Sequence, residues 1–280
     1  MVRVKLVTKY PLSYCVDREK QEVTVDGKSG FVSVTGKSDV ASDKFVVESE
    51  YVEVSKEMAF GRKIPTDGLI AEYTFFEGAG TVLHDTSGYD NHADIYGAVW
   101  EQLPTGKWCL TFDGKDDYCK MKRFTIIDKK IHELTIVAWV KIDRDTGNWQ
   151  QIVEWKVNEA KAFDEVYLEL KPSKIDFRVD DALLSANISI QFNVWLCFIG
   201  VWRRNLTLYV KGQNYDFKVT TEKEEHEVIT KSVVTIGRDF EAGQHLAGSI
   251  GYLAIYTKAW SDAKVEKFYK ATAPLFGIIV

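Results

Sequence analysis

The chain has 280 residues, 45% hydrophobic and 28% charged, enough for one large domain or two smaller ones around a sizeable core. A net charge of −5, with no stripe of lysine or arginine, argues against a nucleic-acid partner, because phosphate binding needs a basic face. No apolar run approaches the ~20 residues of a membrane span, and the N-terminal MVRVKLVTKYPL lacks the apolar core and small-residue cleavage site of an export signal.

From residue 2 the pattern is short alternating runs, VRVKLV, EVTV, FVSV and KFVVESEYVEV, broken by turn signals such as DGKSG at 26–30 and SDVASD at 38–43. These predict a β-rich extension over 1–64. The segment GRKIPTDG, 61–68, with two glycines and a proline, marks a boundary. Beyond it LIAEYTF, CLTF, ELTIVAWVKI, QQIVEWKV, EVYLEL, KIDFRV, VWLCFIGVW, LTLYV, VVTIG and SIGYLAIY predict further strands. Their spacing suits an antiparallel sandwich or jelly roll rather than βαβ units. The mixed-charge run TEKEEHE at 221–227 reads as a solvated loop. One stretch is helical in pattern: SDAKVEKFYKAT, with Ser261 as N-cap and Val265, Phe268 and Tyr269 on one face. The predicted organisation is therefore the extension 1–64, a sandwich over 65–270 and an apolar tail over 271–280.

The four cysteines, Cys15, Cys109, Cys119 and Cys197, lack the CxxC pairing of a zinc site and are expected as free, mostly buried thiols. Cys109 and Cys119 flank a predicted hairpin, LTFDGKDDY, whose Asp and Gly suit a tight turn. The tail residues Leu275, Phe276, Ile278, Ile279 and Val280 form an uncharged run that must be covered. They fit either a final strand on the chain's own sandwich or a strand given to a neighbouring subunit.

A set of short motifs in fixed order resembles the laminin-G-like, concanavalin A-like lectin/glucanase superfamily over residues 68–268. The carrying residues are Tyr73-x-Phe75-x-Glu77-Gly78, Asp85-x-Ser87-Gly88-x-x-Asn91, Leu110-x-Phe112-Asp113-Gly114-x-Asp116-Asp117-Tyr118 and Leu134-Thr135-Ile136-x-Ala138-Trp139. Leu208-Tyr209-Val210-x-Gly212, Ile236-Gly237 and Gly248-x-Ile250-Gly251-x-Leu253 follow. The resemblance implies an all-β sandwich of two antiparallel sheets, one concave. In many relatives the second motif is similar and holds a structural calcium, helped by an acidic residue in a late strand of the form G-x-I-D. Here that residue is Gly251. Asp85, Ser87 and Asn91 remain the candidate donors for calcium, which takes six to eight oxygens. With one negative charge missing, the segment reads first as a metal-free turn held by side-chain-to-backbone bonds.

Relatives resembling laminarinases carry Glu-x-Asp-x-(x)-Glu on one strand. The nearest match is Glu165-Val166-Tyr167-Leu168-Glu169, without the aspartate. At the ~3.3 Å rise of a strand the two glutamates stand about 13 Å apart, too far for the ~5.5 Å of a retaining pair. They are expected to be outward-facing, solubilising residues. With no GxSxG, HExxH or P-loop either, no catalytic residue is assigned and the chain is expected not to be an enzyme.

Two functions compete. The first is a structural subunit of a surface assembly such as a virion, fibre or filament, self-associating or meeting another surface protein through the tail. The second is a carbohydrate-binding module in which Tyr89, Trp100 and Trp149 stack against the sugar rings of a glycan. The sequons at Asn187 and Asn205 suit an extracellular or virion-surface location.

Overall fold

The computed structural model describes residues 64–121, 131–156, 165–221, 233–241 and 243–280, with the backbone of three strands before them. By internal contacts the chain divides into two compact units, Met1–Ile64 and Pro65–Val280. In the first unit, β1 (Tyr14–Asp17), β2 (Glu22–Val25) and β3 (Val34–Lys37) form an antiparallel sheet in that order. The predicted EVTV strand is β2. The VRVKLV and KFVVESEYVEV runs, the side chain of Cys15 and most of the acidic run after Thr221 lie outside the described residues.

Among the described residues, the second unit holds sixteen strands in two eight-stranded sheets. In chain order they are β4 (Leu69–Tyr73), β5 (Val82–Leu83), β6 (Ala93–Tyr96), β7 (Val99–Gln102), β8 (Trp108–Asp113) and β9 (Tyr118–Met121). Next come β10 (Leu134–Ile142), β11 (Gln150–Lys156), β12 (Glu165–Lys171), β13 (Lys174–Val179) and β14 (Ala182–Asn187). The last are β15 (Trp195–Trp202), β16 (Leu206–Gly212), β17 (Tyr215–Thr220), β18 (Val233–Ile236) and β19 (Ala247–Tyr256). The first sheet runs β17-β16-β15-β10-β19-β8-β7, with β4 also on β19; the second runs β14-β13-β12-β11-β18-β9-β6-β5. All pairings are antiparallel, as the apolar alternation and short connections require. Between the sheets lies the core, where Ile136, Ala138 and Phe198 of one face Trp155, Leu168 and Phe177 of the other.

The first sheet is apolar on its outer side as well. Strand β10 is buried along nearly its whole length, LTIVAWVKI, because helix α1 (Asp262–Thr272) covers the outward residues. Ser261 caps α1 as its side chain accepts from the Lys264 N–H, and Val265, Phe268 and Tyr269 face inward. The chain then closes with a 3-10 helix, Ala273–Phe276, and an extended end. Phe276 stacks on Trp139 at 4.5 Å and tilts against Trp195 at 4.9 Å, while Trp139 Nε1 donates to Thr272 Oγ1 at 2.9 Å. The tail is thus a helical turn with its aromatic ring locked under its own sheet, where the sequence pattern had suggested a strand.

The LTFDGKDDY segment also departs from expectation. Strand β8 belongs to the first sheet and β9 to the second, so the turn is a crossover between sheets and not a hairpin. Asp117 Oδ2 accepts from the Asp113 N–H and Asp113 Oδ1 from the Lys115 N–H, so the carboxylates hold a loop wider than a two-residue turn. Cys109 and Cys119 consequently sit on different sheets; both, like Cys197, are free and buried. Among the described residues no helix is long and apolar enough to cross a membrane.

Candidate functional site

The turn at 84–91 is organised mainly by the buried carboxylate of Asp85, while those of Glu77 and Glu72 accept from the His84 N–H at 2.9 Å and from Thr86 Oγ1 at 2.5 Å. Asp85 Oδ1 accepts from the Glu72 and Ser87 N–H groups, both at 2.8 Å; Oδ2 accepts from Ser87 Oγ at 2.6 Å and the Asn91 N–H at 3.0 Å. Four donors occupy the roughly four lone-pair positions that a carboxylate offers. Asn91 Nδ2 in turn donates to the Ile70 carbonyl at 2.8 Å, tying the turn to β4. His92 accepts the Asp85 N–H on Nδ1, and its ring meets His84 edge-on at 5.1 Å. The residues as placed do not fit a calcium ion, because both Asp85 oxygens face hydrogens where a cation would have to sit.

Gly251 stands where the resemblance implies an acidic residue. A Cβ there would lie 2.5 Å from the Phe276 ring and 3.4 Å from Trp195. The space that an aspartate would need is filled by the C-terminal segment. Among the described residues the one trio of close acidic ligand atoms is Asp113, Asp116 and Asp117, in the crossover turn.

The three aromatic residues picked as sugar platforms are scattered. Tyr89 is exposed at the tip of the Asp85 turn. Trp100 on β7 packs edge-on against Phe75 at 6.3 Å and donates its Nε1–H to the Gly80 carbonyl. Trp149 precedes β11 and lies under the Lys171 ammonium at 4.6 Å. Among the described residues no ring contact joins them. Of the tail residues, Phe276 and Ile278 are buried against their own chain, Leu275 is half-buried, and Ile279 and Val280 are exposed.

The outer side of the second sheet brings together a group that the sequence reading did not assemble. Where the first sheet presents apolar rings to its helix, this one presents carboxylates. Glu154 on β11, Glu169 on β12 and Asp176 on β13 are each 6% exposed. Glu169 stands directly opposite Asp176, and Glu154 is opposite Tyr167, two residues from Glu169. Opposed residues share a face and approach to about 5 Å at Cβ, diagonal ones to about 7–8 Å. Glu169 is therefore outward-facing as expected, yet it is buried rather than solubilising. Asp176 accepts from Ser185 Oγ and Glu154 from the Phe240 N–H. Glu169 accepts no hydrogen bond from any described residue.

Burial drives the electrostatics here. It pushes the Glu169 carboxyl up to about 8, with Asp176 and then Glu154, Glu165 and Asp239 adding repulsion. Burial likewise raises Glu154 to about 7 against the pull of the Phe240 N–H. On β18, Thr235 pairs with Glu154 on the same face; it is 2% exposed and its Oγ1 has no hydrogen-bond partner among the described residues. Further along the face, Tyr96 on β6 stacks on Tyr118 of β9 at 4.5 Å and 10°, and the Arg238 guanidinium lies over the Tyr118 ring at 3.6 Å. Tyr96 keeps 43% exposure, a flat ring open on one side.

One signal in the sequence could have found the acidic pair. Counting outward from the two-residue turn Pro172-Ser173 sets Lys171 opposite Lys174 and Glu169 opposite Asp176.

An antiparallel two-sheet sandwich with this strand order defines a jelly-roll class. The chain belongs to the concanavalin A-like lectin/glucanase superfamily, whose Laminin_G_3 family matches residues 113–266, more than half of its length. Among solved structures it is similar to the receptor-binding domain of botulinum neurotoxin D, with TM-score 0.54 at 16% identity over 74% of this chain and 53% of that one. Trypanosoma rangeli sialidase in complex with the inhibitor DANA gives 0.54 at 16% over 75% and 34%. Domain 4 of AbnA, an extracellular GH43 arabinanase from Geobacillus stearothermophilus, in complex with arabinotriose gives 0.54 at 13% over 71% and 97%. At these identities the likeness is one of fold. The chain spans about half the length of the neurotoxin domain it matches. No curated protein matches the chain.

Proposed function

We propose that the chain is a carbohydrate-binding sandwich acting outside the cell or at a surface, and that the glycan lies across the outer face of the second sheet. The observation that carries this is the asymmetry of the two outer faces. The first is sealed by α1 and the tail rings, while the second sets acceptors at Glu154, Glu169 and Asp176 on the same sheet as the stacked Tyr96–Tyr118 pair. Carboxylates that read hydroxyl groups beside an aromatic ring that buries sugar C–H groups are what a glycan site needs. Similarity to a toxin receptor-binding domain and to an arabinanase domain in complex with arabinotriose supports the same reading.

The test is a glycan screen of the full chain followed by calorimetry on its best ligand. Tyr96→Ala and Glu154→Gln should each weaken binding at least fivefold, whereas Tyr89→Ala should leave it unchanged. Binding that survives both face variants and fails in Tyr89→Ala would place the ligand elsewhere.

A second reading, glycoside hydrolysis, draws on Glu169 and Asp176 standing opposite each other on adjacent strands, one held protonated near neutral pH by burial. It predicts new reducing ends during incubation with the ligand, abolished by Glu169→Gln. We favour binding alone, because no described hydrogen-bond donor orients Glu169 for a proton transfer. A role as an adhesive or assembling subunit of a surface structure rests on Ile279 and Val280, which are exposed past the ring that anchors the tail, and on the half-buried Leu275 just before it.

A further inference from the structure

We propose that β14 is a docking edge for a second copy of this chain: two β14 strands pair antiparallel about a twofold axis at Ser185 and join two second sheets edge to edge. The pairing does not depend on the glycan reading.

A strand at the edge of a sheet carries unpaired backbone groups, and proteins blunt such edges with charge, brevity or cover. Among the described strands of the second unit, every sheet edge but one is blunted. Strand β5 is two residues long. Strand β4 is covered by the Asp85 turn, whose Thr86 N–H bonds the Glu72 carbonyl. On β7 Glu101 is exposed and the Trp100 indole reaches over to the Gly80 carbonyl. Strand β17 carries Asp216 and Lys218, ion-paired with Lys211 and with Asp262 of α1. Strand β14 has none of these devices. It reads ALLSAN, six residues without a charge, and pairs with β13 at every position without a bulge. Its Leu183 is 42% exposed.

The register shows which groups stay open. Just past the end of β14, the Ile188 N–H donates to the Ser173 carbonyl, which the same register sets opposite it. Hydrogen-bonded positions alternate along an antiparallel pair. Ala182, Leu184 and Ala186 therefore bond β13, while the N–H and C=O groups of Leu183, Ser185 and Asn187 point away from it. No other described strand lies on that side, and the side chains of the same three residues are the exposed ones.

Self-complementarity selects a second copy as the occupant. With Ser185 opposite its own counterpart, Leu183 falls opposite Asn187 of the other copy, and all three open positions of both strands form pairs that exchange both backbone hydrogen bonds. No charge opposes this register. Asp176, Arg178 and Lys174, beside Ser185, Leu183 and Asn187 on β13, stand three strand spacings, about 14 Å, from the other copy's β13. That exceeds the Debye length of about 8 Å at physiological salt. Asp180 and Asp181 fall level with Ile190 and Ser189 of the other copy, which are uncharged. The outer faces of the two second sheets become one surface, so the dimer presents that face twice and gains avidity for any repeated ligand on it.

Sedimentation velocity on the full chain from about 10 μM to about 1 mM, a range suited to so small an interface, tests this. The expected result is a mass that doubles with concentration. Amide hydrogen exchange should slow at least tenfold at Leu183, Ser185 and Asn187 in the dimer, with Leu184 and Ala186 protected at both ends of the series. Leu183→Lys adds an edge charge, and Ser185→Pro removes an N–H that the ladder with β13 does not use. Each should weaken the dimer at least tenfold; thermal unfolding verifies that they fold. Val99→Lys on β7 and Ile279→Lys in the tail, at the two most exposed apolar side chains, should leave it unchanged.

A chain that stays monomeric through the series overturns the proposal, and slow exchange at those three amides in that monomer would show the edge covered by its own chain. A dimer that survives Leu183→Lys and is lost in Val99→Lys or Ile279→Lys places the interface elsewhere and overturns it too. Loss of the dimer in Leu183→Lys with glycan affinity per site unchanged supports the pairing and leaves the function proposed above to its own test.

Discussion

Two buried acidic sites in this sandwich look alike by composition and differ in what their carboxylates are bonded to. At the 84–91 turn one aspartate accepts four hydrogen bonds from its own loop and from β4. On the second sheet three carboxylates share two, and one of them, Glu169, has none among the described residues. A carboxylate whose lone pairs are filled by its own backbone maintains a fold; one that is desolvated and left without donors is in wait for a ligand or a proton. Crowding of acidic residues in the sequence therefore says less than the count of donors around each one.

The largest expected effect tests whether one sheet face is truly closed. Phe276→Ala removes a buried ring that stacks on Trp139 and Trp195. It should cost about 3–5 kcal/mol, the range for truncating a buried aromatic, read by chemical denaturation. A loss below about 1 kcal/mol would mean that the first sheet's outer face does not depend on the tail. Next comes Asp85→Ala, which strips four donors of their acceptor and should destabilise by about 2–4 kcal/mol without touching glycan affinity. If the affinity falls in proportion, the turn is part of the ligand site and the contrast drawn above fails.

Glu169→Gln should act in the opposite direction. Its carboxyl holds a proton up to about 8 in the folded chain against an ordinary value of 4.5. The wild type thus loses stability as pH rises from about 4.5 towards 8, because the unfolded chain gives up that proton more readily. The glutamine variant lacks this loss. It should exceed the wild type by at least about 1 kcal/mol at pH 8.5, one pKa unit being worth about 1.4 kcal/mol, with the advantage shrinking towards pH 5. A pH-independent difference would show that Glu169 is solvated. The smallest effect is calcium: millimolar calcium should shift the melting temperature by less than about 1 °C, because the Asp85 lone pairs are already taken. A shift of several degrees, removed by Asp85→Asn, would show that the turn reorganises around a cation.

Local features were the legible ones. Strands such as β10, β15 and β19 announce themselves as long apolar runs, and Ser261 with its helical spacing marks α1. Strands β5, β6 and β7 are two to four residues long, the first two half-buried and β7 mostly exposed, so they lack a run to read. Edge strand β17 alternates half-buried and exposed residues, and its apolar content falls below that of its neighbours. The Asp85 turn was visible because all its donors but one lie within six residues, and the remaining one, Glu72, is on the adjoining β4. The acidic face was not, because Glu154, Glu169, Asp176 and Thr235 come from four strands. Only the order β13-β12-β11-β18, set by long-range pairing, makes them neighbours.

A backbone amide NMR titration of the full chain with the tightest glycan from the screen measures directly where a ligand lands. Shifts concentrated on residues 94–96, 118–120, 150–156, 165–178 and 233–240 are the predicted result. Shifts concentrated on 84–92, with the sheet silent, would contradict it.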